Sequence, residues 1–478
     1  MSGALIAGTS SDAGKSLITA GLCRVLARRG VRVAPFKAQN MSNNSMVCAD
    51  GSEIGRAQYL QAIAAGVEPT SAMNPVLLKP GTDRRSFIVL RGEPAGTLEA
   101  GEYATGRTRL ASAAFDAYAE VAARFDLVLC EGAGSPAEIN LRAGDYVNFG
   151  LAQRFGLPVV LCGDIDRGGV LASIFGHWAI VDEADRALLA GYLINKFRGD
   201  PSVLEPGLDE LTERTGLPCF GVVPWLNDVW LDGEDALAFA KWPRIPGHDG
   251  TLRVAVVRFP RISNATDLDA LAAEPGVDVF ATAHPADLID ADLVVLPGSR
   301  STLDDLAWLR DRGLADALLA RVRRGGAVLG ICGGYQMLAA AIDDPIESAA
   351  GTAPGLGLLP TTVRFGADKV LRRPQGSWQG HDVRGYEIHH GIVEVRGGEA
   401  FLDGVRQGNT WGTIWHGAFE NDGFRRAWLT ELAQAIGSPW RPDEGAPGFA
   451  DRREGMLDRL ADAIDTCVDV DALLERAD

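Results

Sequence analysis

"GTSSDAGKS" (8–16) and "VLGICGGYQML" (328–338) are the two stretches whose residue types and spacing suit covalent chemistry. In the first, Gly8, Gly14, Lys15 and Ser16 follow an apolar run and open a helical pattern, "LITAGLCRVLARRG". Glycines let backbone N–H groups converge on phosphate oxygens, a lysine here neutralises the β/γ charge, and a serine can ligate Mg²⁺ at the helix N-terminus. The loop has one residue more than the commonest phosphate-loop spacing. Thr9, Asp12, Gly14, Lys15 and Ser16 are the expected ATP contacts; the alternative is a Gly-rich strand–helix turn that binds nothing. In the second stretch, Gly330, Gly333 and Gly334 permit a sharp turn that lifts Cys332 above a sheet, with a helix N-terminus aimed at the thiol to lower its pKa. A thiolate so placed attacks acyl groups. "VVLPGSRST" (294–302) offers Gly298 and Ser299 for an oxyanion hole, with Gly333 beside them, and "TIWHGAFEND" (413–422) supplies His416 as the base. The alternative is an inert buried cysteine and a core histidine.

Other candidates sit at the ends of apolar runs. Glu131, in "DLVLCEGAGSPAEINL" (126–141), is placed to hold Mg²⁺ with Ser16, or is a solvated strand-end acid. "CGDIDRGGVLAS" repeats the pattern with Asp164 and Asp166. Asn195 and Lys196, in "GYLINKFRGD", either read and flank a purine or cap a helix. Asp145 caps a helix or faces substrate. His389 and His390 line or support the Cys332 site. The string "FKAQNMSNNS" (36–45) is dense in neutral hydrogen-bonding groups, too polar for a core strand and too short for a disordered tract.

The elements that must position these residues alternate along the chain. "GALIAG", "RVAPF", "DLVLCEG", "PVVLCGD" and "AGYLINK" are separated by helical patterns, the rhythm of βαβ units on a parallel sheet. After the Pro- and Gly-rich "KWPRIPGHDG" the rhythm restarts. The expectation is an α/β chain of two tandem domains, each a mainly parallel sheet flanked by helices: residues 1–240, a linker at 241–250, and residues 251–478. The helical tail "FADRREGMLDRLADAIDTCVDVDALL" is expected on the second domain. In 478 residues, 46% hydrophobic and 23% charged, there is material for large cores. No apolar run spans a membrane, and the N-terminal stretch has no basic region of a signal peptide. Seven cysteines without a C-x-x-C pair point to reduced thiols, a cytoplasmic location and no zinc site. A net charge of −17 argues against nucleic-acid binding.

These motifs carry a resemblance. The second half resembles class I glutamine amidotransferases: the P-G-S loop, the G-x-C-x-G-x-Q elbow ending in Gln336, and the distal His416. The resemblance implies that Cys332 attacks the amide of L-glutamine and releases ammonia. The usual glutamate two residues after the histidine is absent, since His416 is followed by Gly417 and Ala418; the resemblance is thus to the branch with only a Cys–His pair, which includes the corrinoid amidases, and Glu420 and Glu387 are the candidates to orient His416. The first half is similar to dethiobiotin-synthetase-like P-loop proteins. With "PFKAQNMSNNS", "DGSEIGRAQ", "NPVLLKP", "EGAGSPAEINL", "GDIDRGGV" and "NKFRGD", nearly the whole chain resembles the glutamine-hydrolysing cobyric acid synthase family. That implies ATP- and Mg²⁺-dependent amidation of the b, d, e and g carboxylates of the corrinoid adenosylcobyrinic acid a,c-diamide. Lys37 is then the expected cation at the reacting carboxylate, and Asn40, Ser42, Asn43, Asn44, Ser45 and Arg56 are expected to face the substrate; an Asn-rich loop held by its own turns is the alternative. Asp50 or Glu53 is the expected second metal ligand. Because ammonium is no nucleophile, the two sites are expected to communicate by a shielded path within the chain or across a homo-oligomer. The rival readings are an a,c-diamide synthase, an amidotransferase for another carboxylate, and a regulatory ATPase with a dead glutaminase module.

Overall fold

Apolar runs flanked by Gly-rich turns become the buried strands of two sheets. The computed structural model describes residues 2–81, 85–99, 107–227, 229, 250–348 and 351–477. In the first sheet Ser2–Gly8 is flanked by Val159–Asp164 and Leu127–Glu131. Leu189–Phe197 and Cys219–Pro224 extend one side, and Val33–Phe36 closes the other. Every pairing in this sheet is parallel. Helices cover both faces, which is why the strands read as continuous apolar runs rather than alternating ones. The parallel arrangement brings the carboxyl ends of all six strands to one edge, where open α/β sheets bind ligands. A second sheet, Gln39–Met41, Val76–Pro80, Arg85–Leu90 and Glu93–Glu99, grows from the loop after Phe36.

The second half is built on a seven-stranded sheet in the order Val277–Thr282, Leu252–Val257, Leu293–Leu296, Ala327–Ile331, Thr410–Thr413, Gly404–Gln407, Glu399–Phe401. Five strands are parallel, and an antiparallel hairpin forms the end. Both halves are α/β with mainly parallel sheets. Most of the expected linker, residues 241–249, lies outside the described residues.

The C-terminal tail corrects an expectation. Helix Phe449–Cys467 starts in the core of the second half, at Phe449, but packs along most of its length on the first half. Met456, Leu457, Leu460 and Ile464 are buried in one cluster with Ile18, Leu22 and Val25 of helix Lys15–Arg28. Its acidic flank meets that helix's basic flank: Arg24 pairs with Glu454 and Asp458, and Arg28 with Asp458 and Asp462, while Arg29, just past the helix end, pairs with Asp465 and with Asp471 of the following helix Val470–Ala477. These exposed ion pairs set the register and add little stability each. Each large apolar side chain buried in the stripe contributes about 1.5–3 kcal/mol. Periodicity marks the apolar face of such a helix but not which surface covers it.

Candidate active sites

The phosphate loop leaves Gly8 at the end of its strand and turns through Asp12 (φ 61°) and Gly14 (φ 95°) into helix Lys15–Arg28. Gly14 has no alternative: a Cβ there would lie 2.0 Å from Asn195 Nδ2. Lys15 Nζ curls over the loop, donating to Ser10 O at 3.1 Å and Gly134 O at 3.3 Å. Asn195 Nδ2 donates to Ala13 O at 2.9 Å, so the amide braces the loop from the neighbouring strand. Lys196 Nζ donates to Asp12 O at 2.6 Å and Asp164 Oδ2 at 2.7 Å and braces its other side.

Glu131 is fully buried at its strand end and is the hub of the site. Its Oε1 accepts from Ser16 Oγ at 2.9 Å and from Lys37 Nζ at 2.7 Å, and its Oε2 accepts from Gln61 Nε2 at 2.6 Å. Lys37, drawn from the sequence as a cation for the substrate, is thus also the counter-ion of Glu131. Ser16 and Glu131 present two hard oxygen donors at the mouth of the phosphate loop, a donor set that fits Mg²⁺. Asp50 and Glu53 do not join them. Asp50 is exposed on a hairpin turn, accepting from Ser52 N–H at 2.9 Å and Ser52 Oγ at 2.6 Å. Glu53 is fully buried between Lys79 and Lys369. Burial would raise its carboxyl pKa, but those two ammonium groups hold it well below the ordinary range.

A cleft of about 1010 Å³ opens beside the loop. It is lined by Lys15, Lys37, Gln39, Asn40, Tyr146 and His177, among others. Met41, Leu141 and Ile180 stand half-exposed on its rim. Asn40 Nδ2 donates to Gln58 Oε1 at 3.0 Å, and Tyr146 OH donates to Gln39 Oε1. His177 Nε2 lies 2.8 Å from Ser135 Oγ. Asp145 also lines the cleft, but both its oxygens are engaged by the N–H groups of Val147, Asn148 and Gly150 at 2.8–2.9 Å, where helix Phe149–Phe155 begins. The rest of the Asn-rich string points elsewhere. Asn43 lines the cysteine pocket, and Asn44 and Ser45 bond to the second half. Arg56 is 1% exposed and pairs with Glu420 at 2.8 Å. The structure therefore takes Asn43, Asn44, Ser45 and Arg56 away from the cleft: a polar run reveals hydrogen-bonding capacity, not its direction.

In the second half, Cys332 sits between strand Ala327–Ile331 and helix Gly333–Leu338 in a strained conformation, φ 49° and ψ −111°. Its neighbours must be small, since a Cβ at Gly334 would lie 1.9 Å from Leu296 O. Gly298 and Ser299 run beside the elbow: a Cβ on Gly298 would lie 3.1 Å from His416 Cε1, and one on Gly333 would lie 2.8 Å from Ser299 N. Gln336 is buried and shapes the pocket, donating to Gly391 O at 3.2 Å and accepting from Thr302 Oγ1 at 3.2 Å. His389 and His390 line the same pocket.

His416 is fully buried, and its Nδ1–H donates to Asp267 Oδ2 at 2.6 Å. Asp267 Oδ1 also accepts from Gly417 N–H at 2.8 Å, and the Tyr386 ring stacks on the imidazole at 5.2 Å. Burial disfavours the imidazolium, but Asp267 and the adjacent Cys332 outweigh it and raise the His416 pKa to about 10. Asp267 thus takes the place for which Glu420 and Glu387 were the candidates. Glu420 is held by Arg56 and Arg453, and Glu387 by Trp415, Arg372 and His389. Nothing in "SNATDLDAL" marks Asp267; it reads as an ordinary first-turn acid. Cys332, His416 and Asp267 form the nucleophile, base and orienting-acid set of acyl transfer.

Residues 4–237 match the family described as the CobQ/CobB/MinD/ParA nucleotide binding domain, and residues 253–424 match the CobB/CobQ-like glutamine amidotransferase domain. Over its full length the chain is similar to proteins named cobyric acid synthase. That of Cutibacterium acnes is 64% identical, covering 99% of each chain. That of Mycolicibacterium vanbaalenii is 55% identical over 100% of this chain and 97% of its own. That of Streptomyces avermitilis is 55% identical over 98% and 95%.

Proposed function

Because the chain belongs to the cobyric acid synthase family, we propose that it converts adenosylcobyrinic acid a,c-diamide to cobyric acid by amidating the b, d, e and g carboxylates with nitrogen from L-glutamine. It is a glutamine-hydrolysing carbon–nitrogen ligase of cobalamin biosynthesis. The observation that carries this reading is the pairing, in one chain, of a phosphate loop beside a large cleft with a complete Cys332–His416–Asp267 set.

A carboxylate is a poor electrophile. Transfer of the γ-phosphoryl group to a corrin carboxylate oxygen, with ADP as leaving group, gives an acyl phosphate; ammonia attacks its carbonyl carbon and phosphate leaves. Lys15 and the loop N–H groups hold the phosphates. Ser16 and Glu131 would hold Mg²⁺, which when bound neutralises phosphate charge. Lys37 keeps Glu131 in place and presents positive charge at the cleft floor. Gln39 and Asn40 offer amides to the polar edge of a corrinoid, and the Met41, Leu141 and Ile180 rim offers apolar contact to its ring. In the second half, Cys332 Sγ attacks the glutamine δ-carbonyl, His416 protonates the departing ammonia, and water then hydrolyses the thioester to glutamate. The halves touch within one chain, where Asn43 and Lys79 of the first half line the Cys332 pocket, which supports ammonia transfer inside the chain. None of the described helices is long and apolar enough to cross a membrane; together with seven free thiols this supports a cytoplasmic enzyme.

The test is mass spectrometry of cobyrinic acid a,c-diamide incubated with the protein, ATP, Mg²⁺ and glutamine. Stepwise replacement of OH by NH₂ is expected. Conversion of cobyrinic acid but not of its a,c-diamide would instead identify an a,c-diamide synthase.

A further inference from the structure

Two asparagines join the halves by exchanging backbone hydrogen bonds. Ser45 N–H donates to Asn264 Oδ1 at 2.9 Å, and Ala265 N–H donates to Asn44 Oδ1 at 3.3 Å. Each asparagine is 3% exposed. Asn264 has φ 49°, a left-handed conformation that asparagine tolerates better than most residues. It starts the single turn Ala265–Leu268, and its carbonyl accepts from Asp267 N–H at 3.2 Å. Asp267 is the residue that holds His416. The same edge of the first half forms part of the cysteine pocket: Asn43 and Lys79 line it with Cys332, and Lys79 Nζ donates to Ser45 Oγ at 2.7 Å.

We propose that Asn44 and Asn264 are positioning residues of the glutaminase: the first half clasps the turn that carries Asp267 and thereby fixes the orientation of His416. Glutamine hydrolysis then depends on the seat supplied by the ATP-binding half. The inference rests on reading Cys332 and His416 as the glutaminase pair. It follows from the shortness of the lever. Only Ala265 and Thr266 separate Asn264 from Asp267, and a displacement of about 1 Å at a catalytic group costs on the order of 10²-fold in rate.

The titratable groups facing the imidazole are Asp267 from the turn, Cys332 from the elbow and Tyr386 stacked on the ring; Arg56 and Glu420 act on Tyr386 from beyond it. The competent pair is thiolate and imidazolium. A loosened Asp267 stabilises the imidazolium less, so the basic limb of the glutaminase profile moves to lower pH. A merely structural defect scales the whole profile without moving it.

The experiment uses the full chain carrying Asn44→Ala, with folding checked by thermal melting. Glutaminase kcat is expected to fall about tenfold or more, with KM for glutamine within about twofold and the basic limb at lower pH. Corrin amidation driven by ammonium chloride is expected to stay within about twofold, because Asn44 is outside the ATP cleft. Asn44→Asp keeps the accepting oxygen and is expected to recover most of kcat. Asn264→Gly keeps the left-handed turn without the acceptor and is expected to repeat the loss; it also serves as the probe if Asn44→Ala does not fold. Wild-type kcat with an unshifted basic limb overturns the proposal, as does an equal loss of ammonia-driven amidation. Retained glutamine use by Cys332→Ala is a different failure, since it removes the glutaminase reading itself.

Discussion

His416 Nδ1 lies 2.6 Å from Asp267 Oδ2, although the two are 149 positions apart in the chain. The carboxylate reaches the ring from the turn Ala265–Leu268, near the start of the second half, not from the segment that follows the histidine. It fixes which ring nitrogen faces Cys332, favours the imidazolium after proton transfer, and ties the Gly417 backbone in the same grip.

Asp267→Asn keeps the shape and removes the charge. Glutaminase kcat is expected to fall on the order of 10²–10⁴-fold with little change in KM for glutamine, as for orienting acids elsewhere. The basic limb of its pH profile should move down from the region set by the His416 pKa of about 10. Ammonia-driven amidation should persist. Steady-state glutamate release from pH 6 to 10 checks this, and an unchanged kcat would deny Asp267 its role.

Cys332→Ala should end the use of glutamine and leave the ATP site intact. Free ammonia at high concentration should still amidate the corrinoid, faster at higher pH as ammonium loses its proton. Cys332 is only 5% exposed, but the change removes one sulfur atom, so the stability cost is expected to stay near 1–2 kcal/mol. A folded variant inactive with both nitrogen donors would place the elbow in the synthetase site.

The phosphate loop and the cysteine elbow were legible in the sequence because each is a local strand–turn–helix whose geometry depends on glycines a few residues apart. Asp267 was not legible, since its meaning arises only when two loops far apart in sequence meet. The Asn-rich string was half legible. Its hydrogen-bonding capacity was plain, yet Asn40 faces the cleft while Asn44 faces the other half of the chain, a split set by the turn between strands Gln39–Met41 and Ser45–Val47. The tail helix showed its apolar stripe, but the matching arginines at 24, 28 and 29 identify its partner only once the fold is known.

Lys37→Ala tests the hub of the ATP site. The lysine is 3% exposed and lies 2.7 Å from the fully buried Glu131 carboxylate. Removing it strips a buried charge of its ion pair, a change that costs about 3–5 kcal/mol. Amidation with either nitrogen donor is expected to be lost, with a clear drop in melting temperature. Lys37→Arg should restore much of the stability. Full activity in Lys37→Ala would show that the lysine serves neither Glu131 nor substrate.

Acid should loosen the seam between the halves at Glu420. This carboxylate bridges Arg56 of the first half at 2.8 Å and Arg453 of the tail helix at 2.9 Å. Burial would raise its pKa, but Arg453 and Arg56 together lower it to about 2. An unfolded glutamate titrates near pH 4.3. A depressed folded pKa means that the unfolded chain binds the proton more readily. The stabilisation is therefore complete above the unfolded value and disappears as pH falls through about 2. Glu420→Gln mimics the protonated state at every pH. At pH 6 the wild-type chain should be more stable than Glu420→Gln, by an amount on the order of 2–3 kcal/mol. The gap should narrow below pH 4 and close near pH 2, as followed by denaturant titration at each pH. The variant should also lose part of its glutaminase activity at pH 7, because Glu420 ends the turn that begins just after His416. A stability gap that is the same at pH 6 and pH 2.5 would mean that Glu420 is not ionised against its arginines, and that the seam is held by its other contacts, the Glu53–Lys369 pair and the Asn44–Asn264 clasp among them.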